Sequence, residues 1–445
     1  MDDYRLIADA IARDIAAGRL RPGDRLPPQR RFARQRGIAG STAARVYGEL
    51  NRRGLVAGEV GRGTFVRTGR PPVETALSEP AAARVDLELI LPVLPEQPAL
   101  QAQSLAPLLT AGPMSTVLSP VGVAGTGAAR EAGAAMLSRA GWRPSPARLL
   151  FAGNGRQAIA AAVAALVPVG ERLGVDTLTY PLVKAIAARL GIALVPLESD
   201  EYGLSPSALR SAHRLGALRA VYLQPTLHNP LGVTMAPQRR AELAETLDEL
   251  GLPAIEDNVH AFLRDDLPPL AALLPERVIV VDSLSKRLSP GLTLGFLVVP
   301  EAVGAQVASA LRSGTWTPGH FALEAATRWI TDGTVTAIER GKRRDAVSRR
   351  KLAGERLAGF RLHGDAHAYH LWWELPEPWR AETFVAAAAR HGIALSPAAA
   401  FAAGSGHAPN AVRVALASPP PDVLVTALDL LAALARATPE DTTAE

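Results

Sequence analysis

The stretch DSLSKRLSPGLTLGF (282–296) holds a lysine in a chain that almost never uses one. Of 48 basic residues 44 are arginine; the lysines are Lys184, Lys286, Lys342 and Lys351. Lys286 follows the apolar run RVIVVD (277–282) and two serines, and precedes a Pro-Gly turn. A short apolar run that ends at small polar residues reads as a buried strand leading into a loop. An amine placed there can lose its proton and attack a carbonyl, which a guanidinium cannot do.

The same pattern recurs in RLGVDTLTYP (172–181), AVYLQPTLHNP (220–230) and LPAIEDNVH (252–260). Helical runs such as RQAIAAAVAALV (156–167) and PQRRAELAETLDELG (237–251) separate them. Alternating strand and helix predicts a mainly parallel sheet wrapped by helices, an α/β body over 86–440. Ligands of such sheets bind beyond the carboxyl ends of the strands, so the polar residues that follow each run are the ones to weigh. They are Asn229 in a Pro-flanked turn, Asp257, and Ser283, Ser285 and Lys286. GNGRQA (153–158) adds a glycine-bearing turn opening a helix, where backbone N–H groups can face a phosphate; alone it reads more readily as an ordinary tight turn. An acid for a ring nitrogen, an amine for an aldehyde and donors for a phosphate are together what pyridoxal 5′-phosphate requires.

The chain's other end differs in charge. Residues 1–70 hold 15 arginines against 7 acids, a net of +8, which leaves −3 of the total +5 for the rest. A basic head on a slightly acidic body points to a polyanion partner for the head, and a solvated arginine-rich surface is the alternative. Leu6, Ile7, Ile11 and Ile15 lay an apolar stripe on a first helix. PQRRFARQRG (28–37) predicts a second, ending at Gly37. A third, from about Ser41 to Arg53, puts Ala43, Val46, Tyr47 and Leu50 on one face and Ser41, Arg45 and Arg52 on the other. Gly54 ends it, Ser41 or Gly40 is placed to cap it, and LVAGEVGRGTFV (55–66) reads as a two-stranded basic wing. Three short helices and a wing predict a winged helix-turn-helix over 1–68, an α+β head whose third helix enters the major groove of double-stranded DNA. RTGRPPVETALSEPAAARVD (67–86) has no apolar period and reads as a tether, assigned as a linker over 69–85.

With no cysteine, a disulfide framework, a zinc finger and a thiol nucleophile are excluded, and no metal is assigned. The N-terminus has early acids and no apolar h-region, and no stretch of about 18 apolar residues occurs, so the cytoplasm is the expected compartment.

The head, 23–66, resembles the DNA-binding domain of the GntR family of bacterial repressors. That pattern has Leu-Pro-Ser-x-Arg before the second helix, Val-Ser-Arg-x-Thr at the recognition helix, and Gly-x-Gly-Thr-Phe-Val in the wing. The resemblance implies DNA contacts for Arg30, Ser41, Thr42, Arg45 and Arg62. The helix-start Ser-Arg pair is Ala39-Gly40 here, so a base-reading arginine is missing and Arg45 or Arg34 is the available substitute. The body resembles the fold-type I, aspartate aminotransferase-like enzymes. This implies Lys286 as the Schiff-base lysine and Asp257 on the pyridine nitrogen. It further implies Asn229 on the 3′-oxygen, Tyr180 stacked on the ring, and Gly155, Arg156, Gln157, Ser283 and Ser285 around the phosphate. Arg413, in NAVRVALAS (410–418), falls on the arginine that clamps a substrate carboxylate.

Three departures stand out. His260 occupies the place of a tyrosine that bonds the 3′-oxygen, and histidine ordinarily titrates near neutrality. Thr293 stands where an arginine neutralises the phosphate; Arg287 is adjacent only in sequence. LSPVGVAG (118–125) lacks the tyrosine that crosses from the partner subunit. The fusion of both halves resembles the MocR subfamily of regulators. This implies a homodimer that binds an operator and senses pyridoxal phosphate, or an amino compound joined to it. A working aminotransferase with an accessory head is the alternative, and a body kept only for dimerisation is a third reading. In HLWWEL (370–375), Trp372 and Trp373 point to opposite faces of a strand, with core packing as their expected role.

Overall fold

A computed structural model describes residues 4–16, 19–20, 24–52, 55–59, 63–66, 83–404 and 408–438. The chain forms two compact units, a head up to Glu79 and a body from Pro80. The linker assigned to 69–85 lies mostly outside the described residues, as do Arg53, Gly54 and Arg62.

In the head, α1 (Tyr4–Ala16), α2 (Gln29–Arg36) and α3 (Gly40–Arg52) precede the antiparallel strands β1 (Val56–Glu59) and β2 (Gly63–Val66). The apolar stripe of α3 is the centre of the core. Ala43, Val46, Tyr47 and Leu50 are buried with Ile11, Phe32 and Val56, and Phe32 meets the Tyr47 ring edge-on at 5.3 Å. The Tyr47 hydroxyl donates to the Pro27 carbonyl, and burial pushes its pKa up to about 12. Fully burying a side chain such as Leu50 contributes about 2 kcal/mol. Gly37 ends α2 in the left-handed region at φ 64°. Two expectations change. Leu6 is 67% exposed, and the buried face of α1 runs through Ala8 and Ile11, because Leu6, two and five residues from them, falls off their side of the helix. The third helix begins at Gly40, so Ser41 lies inside its first turn and is no cap.

The body opens with the short strand β3 (Val85–Asp86) and carries a seven-stranded sheet. Its strands are β4 (Leu149–Ala152), β5 (Arg172–Asp176), β6 (Ala193–Leu197), β7 (Ala220–Leu223), β8 (Ala254–Asp257), β9 (Val278–Ser283) and β10 (Gly295–Val298), in the order β4-β10-β9-β8-β7-β5-β6. Only β10 runs against the others. Successive residues alternate between two cores. Ala254, Val278 and Val280 belong to one, and Ile255, Ile279 and Val281 to the other. Both faces are covered, which is why these strands read as unbroken apolar runs. A second lobe holds a smaller antiparallel sheet. It comprises Arg361–His363, His370–Glu374, Ala411–Ala415 and Ser396–Pro397, backed by the helix Pro421–Arg436. Trp373 fills its core beside Phe384 and Trp379, while Trp372 packs edge-on against Phe401. Val85 and Asp86 pair with Ile393 and Ala394 of this lobe, so the chain leaving the linker is rooted there. No described helix is long and apolar enough to cross a membrane.

Candidate functional site

Five loops beyond the carboxyl ends of parallel strands converge. The helix Gly155–Leu166 begins three residues after β4, with the Asn154 side chain accepting from Gln157 N at 2.9 Å. Gly155 is required by packing, since a Cβ there would lie 2.9 Å from Ser283 Oγ. Tyr180 ends the loop after β5, directly before the helix Pro181–Leu190. Asn229 follows β7, Asp257 closes β8, and Ser283 closes β9 and caps the short turn of helix Leu284–Arg287 that carries Lys286.

Asp257 is 2% exposed and fully engaged on one oxygen. Its Oδ2 accepts from Tyr222 Oη at 2.6 Å and Gln224 Nε2 at 2.8 Å, and Oδ1 accepts from Val259 N at 3.0 Å. Burial raises its pKa, against these three donors. Oδ1 keeps a free lone pair for a further N–H. Lys286 Nζ donates to the Ile90 carbonyl at 2.6 Å. Burial, then the charges of Arg156 and Arg413, lower its pKa to about 7, with Asp257 opposing. A good part of this amine is therefore neutral near pH 7. His260 is buried, and burial with the neighbouring His370 drives its pKa well below the ordinary value. It stays neutral, so the expectation that it titrates near neutrality is corrected. Its ring lies 5.8 Å from that of His370, whose Nε2 pairs with the His228 carbonyl at 3.0 Å.

Arg413 is buried in the second lobe's sheet. Nη1 donates to Asn229 Oδ1 at 2.9 Å, and Nη2 to Ser396 Oγ at 3.1 Å and to the Glu88 carbonyl. Its guanidinium lies over the Phe401 ring at 4.9 Å. Its Nε is buried with no partner among the described residues, and burial lowers its pKa to about 10. An unsatisfied buried donor on a cation marks a place for an acceptor. At the opposite end Ser285 Oγ and Thr293 Oγ1 are 2.7 Å apart. Arg287 does not reach this corner; it is 3% exposed, 2.6 Å from Asp282 and paired with Glu339.

The body residues singled out from sequence thus meet in one place. In the head Arg30, Ser41 and Arg45 are exposed and Thr42 half-buried; Arg62 lies outside the described residues. Sequence reasoning missed Tyr222, Gln224, His370 and Ser396. Tyr222 and Gln224 had a signal: spaced by two, they share a face just before the Asn229 turn.

The donor set fits pyridoxal phosphate: a neutral-capable amine, a buried carboxylate with a free lone pair, an orphan arginine donor and a hydroxyl-rich cradle. The aminotransferase class I and II family matches residues 102–431, and the bacterial regulatory proteins of the gntR family match residues 3–66. The uncharacterized HTH-type transcriptional regulator YdeF of Bacillus subtilis is 30% identical over 94% of this chain and 90% of its own. The HTH-type pyridoxine biosynthesis transcriptional regulator PdxR of Corynebacterium glutamicum is 25% identical over 79% and 78%. The structure of an archaeal alanine:glyoxylate aminotransferase superposes with a TM-score of 0.72 at 22% identity, over 79% of this chain and 90% of that one.

Proposed function

Since the chain belongs to the regulators that join a GntR-type head to an aminotransferase class I and II body, the MocR subfamily, we propose that it controls transcription in response to pyridoxal phosphate or to an amino compound bound with it. The observation that carries this reading is Lys286, an amine brought to a pKa of about 7 beside Asp257 and Arg413. Bound there, pyridoxal phosphate supplies an aldehyde that a primary amine captures and a ring that withdraws electrons. Lys286 presents the neutral amine. Asp257 Oδ1 would accept from a protonated ring nitrogen, while Tyr222 and Gln224 fix the carboxylate. Asn229 and the neutral His260 would hold the ring's oxygen substituent, and Tyr180 would stack on the ring. Arg413 offers Nε to an incoming carboxylate.

Arg413 and the strand root Val85–Asp86 belong to the same lobe. A ligand that prefers one arrangement of that lobe would move the root of the tether, and so reach the head. The chain works as a homodimer in this reading, with Arg30, Ser41, Thr42, Arg45 and Arg62 on the operator. The departures at Thr293 and His260 favour sensing over turnover.

Purified protein titrated with pyridoxal phosphate tests the reading. Wild type develops the visible absorption of lysine-bound cofactor and Lys286→Ala does not; absorption unchanged by that substitution would refute the role of Lys286. Arg30→Ala and Arg45→Ala each weaken operator binding and reduce its salt slope by about 1. Unchanged operator affinity in both would remove them from the interface.

A further inference from the structure

Three of the four lysines in this arginine-rich chain donate to backbone carbonyls. Lys184 Nζ reaches those of Ala400 at 2.8 Å and Ala402 at 3.3 Å, and Lys286 Nζ that of Ile90. Lys342 Nζ donates to the carbonyls of Lys286 at 3.0 Å and Leu288 at 2.6 Å. Of the four, Lys342 is the one that is fully buried, at 0% exposed.

The turn it touches needs support from outside. Lys286 sits on one turn of helix, Leu284–Arg287, closed by a backbone bond from Leu288 N to Leu284 O at 2.7 Å. So short a helix is unstable alone, and its last carbonyls have no partner within it. Ser283 caps its start, with Oγ accepting from Ser285 N at 3.2 Å. The helix Thr334–Arg356 holds its end. Glu339 of that helix pairs with Arg287, and Lys342, one turn further along the same face, takes the two carbonyls. The Leu288 carbonyl has a second donor, Gln97 Nε2 at 3.1 Å. Among the described residues no donor other than Lys342 reaches the Lys286 carbonyl.

The choice of lysine is informative. Arginines of the same helix also bond carbonyls, Arg343 that of Phe262 and Arg349 those of Leu416 and Pro419. Each of these also pairs with a carboxylate, Arg343 with Asp265 and Arg349 with Asp345. Lys342 forms no ion pair with a described carboxylate. A guanidinium in its place would stay charged in a dry interior without a counterion, which is costly. An amine can shed the charge. Burial lowers the pKa of Lys342 to about 7, and the neutral form still has two N–H groups, one for each carbonyl. To capture an aldehyde, Lys286 must in turn aim its own lone pair at the aldehyde carbon, and its two N–H hydrogens leave in the water released. The direction of that lone pair depends on the backbone that carries it.

We propose that Lys342 is a positioning residue for cofactor capture: by holding the Lys286 carbonyl it fixes the turn, and so the direction from which the Lys286 amine meets an aldehyde. The inference rests on the cofactor reading above, and the test separates the two. Pyridoxal phosphate can be captured by the amine. The analogue 4′-deoxypyridoxine 5′-phosphate has the same ring and phosphate with a methyl group in place of the aldehyde, so it binds without capture. Both are titrated into wild type, Lys342→Met and Lys342→Gln. Methionine keeps the length of the side chain and loses the N–H groups; glutamine keeps N–H donors. Visible absorption follows capture, quenching of intrinsic fluorescence follows binding of the analogue, and thermal melts verify folding.

Capture by Lys342→Met should slow about 10- to 100-fold, the order of loss expected when a reacting group is misplaced by up to about 1 Å. Affinity for the analogue stays within about 2-fold, since the hydrogen bonds of Lys342 go to the turn and leave the ligand's partners in place. Lys342→Gln captures faster than Lys342→Met and slower than wild type. Should Lys342→Met not fold, Lys342→Gln decides alone by the same split, slower capture at unchanged analogue affinity. Capture and analogue binding reduced together, or neither reduced, overturns the assignment and leaves Lys342 a packing residue. Lys342→Gln no faster than Lys342→Met overturns the hydrogen-bond basis of the positioning. Wild type that binds neither compound overturns the cofactor reading itself, and this inference with it.

Discussion

The two ends of the site are built to different standards. At the ring end Asp257, Asn229 and Arg413 are buried and tied to one another or to neighbours by hydrogen bonds of 2.6–3.1 Å. At the phosphate end Ser283 is buried, but Ser285 and Thr293 are partly exposed and Arg156 is exposed. Buried charged contacts are strong and costly to disturb, whereas exposed ones are screened by water and salt. A site that grips the ring and carboxylate firmly but the phosphate loosely keeps the recognition chemistry while letting the cofactor leave. That suits a sensor, which must empty when the ligand becomes scarce, better than an enzyme that retains its cofactor through many cycles.

The sharpest way to break this contrast is to cut one residue at each end. Asp257→Ala strands the Tyr222 hydroxyl and the Gln224 amide in a dry interior, at about 1–3 kcal/mol for each buried group left unpaired. The body should lose about 2–6 kcal/mol of unfolding free energy in denaturant titrations, along with cofactor binding. Ser285→Ala removes a partly exposed hydroxyl and should cost less than about 1 kcal/mol. Comparable losses at the two ends would end the distinction.

Next in size is Arg413→Ala. It should leave the visible absorption with pyridoxal phosphate intact while weakening the spectral response to amino acids by about 30-fold or more, as expected for losing a buried partner of a carboxylate. If amino acids shift the spectrum of the variant as in wild type, the carboxylate is held elsewhere.

Much of this contrast is legible in the sequence, and the limits of that legibility are physical. Residues that end strands announce themselves, because an apolar run that stops at Asp257 or Ser283 sets a polar group at the carboxyl edge of a buried sheet, where ligands bind. Partners across the fold do not. Arg287 is adjacent to Lys286 in sequence, yet its second acid, Glu339, arrives from a helix 52 residues away, and nothing local predicts that pairing. His370 reaches the site through a carbonyl of His228; Lys286 and Arg413 bond the carbonyls of Ile90 and Glu88. Backbone acceptors carry no side-chain signature, so such contacts are invisible to pattern reading. Leu6 shows the same limit in the head, where an apolar residue one step off the stripe stays in water.

A smaller effect concerns pH. The Lys286 amine has its pKa lowered to about 7 from an ordinary 10.5, so its neutral form grows as pH rises through 7. About a tenth is neutral at pH 6 and about nine-tenths at pH 8. The rate of cofactor capture should rise about tenfold over that window and then level off. His260, already neutral there, adds no second step. A rate still climbing above pH 9 would mean that Lys286 is not depressed and that the ring end is less dry than its hydrogen bonds imply.

The smallest expected change is also the one that bears most directly on sensing. Thr293→Arg on the wild-type background restores a second cation at the loose end. Because the Ser285–Thr293 hydroxyls and the helix start already offer donors to a phosphate, the gain should be only about 3- to 10-fold in affinity, below the full value of a charged contact. It should appear as slower cofactor release, since affinity differences within one site lie mostly in dissociation rates. A regulator so altered would hold pyridoxal phosphate at concentrations where wild type has emptied, and its operator response would shift to lower cofactor by the same factor. If release slows but the operator response does not move, occupancy of the site is not what the head reads. The signal would then have to come from the carboxylate at Arg413, on the lobe that carries the root of the tether.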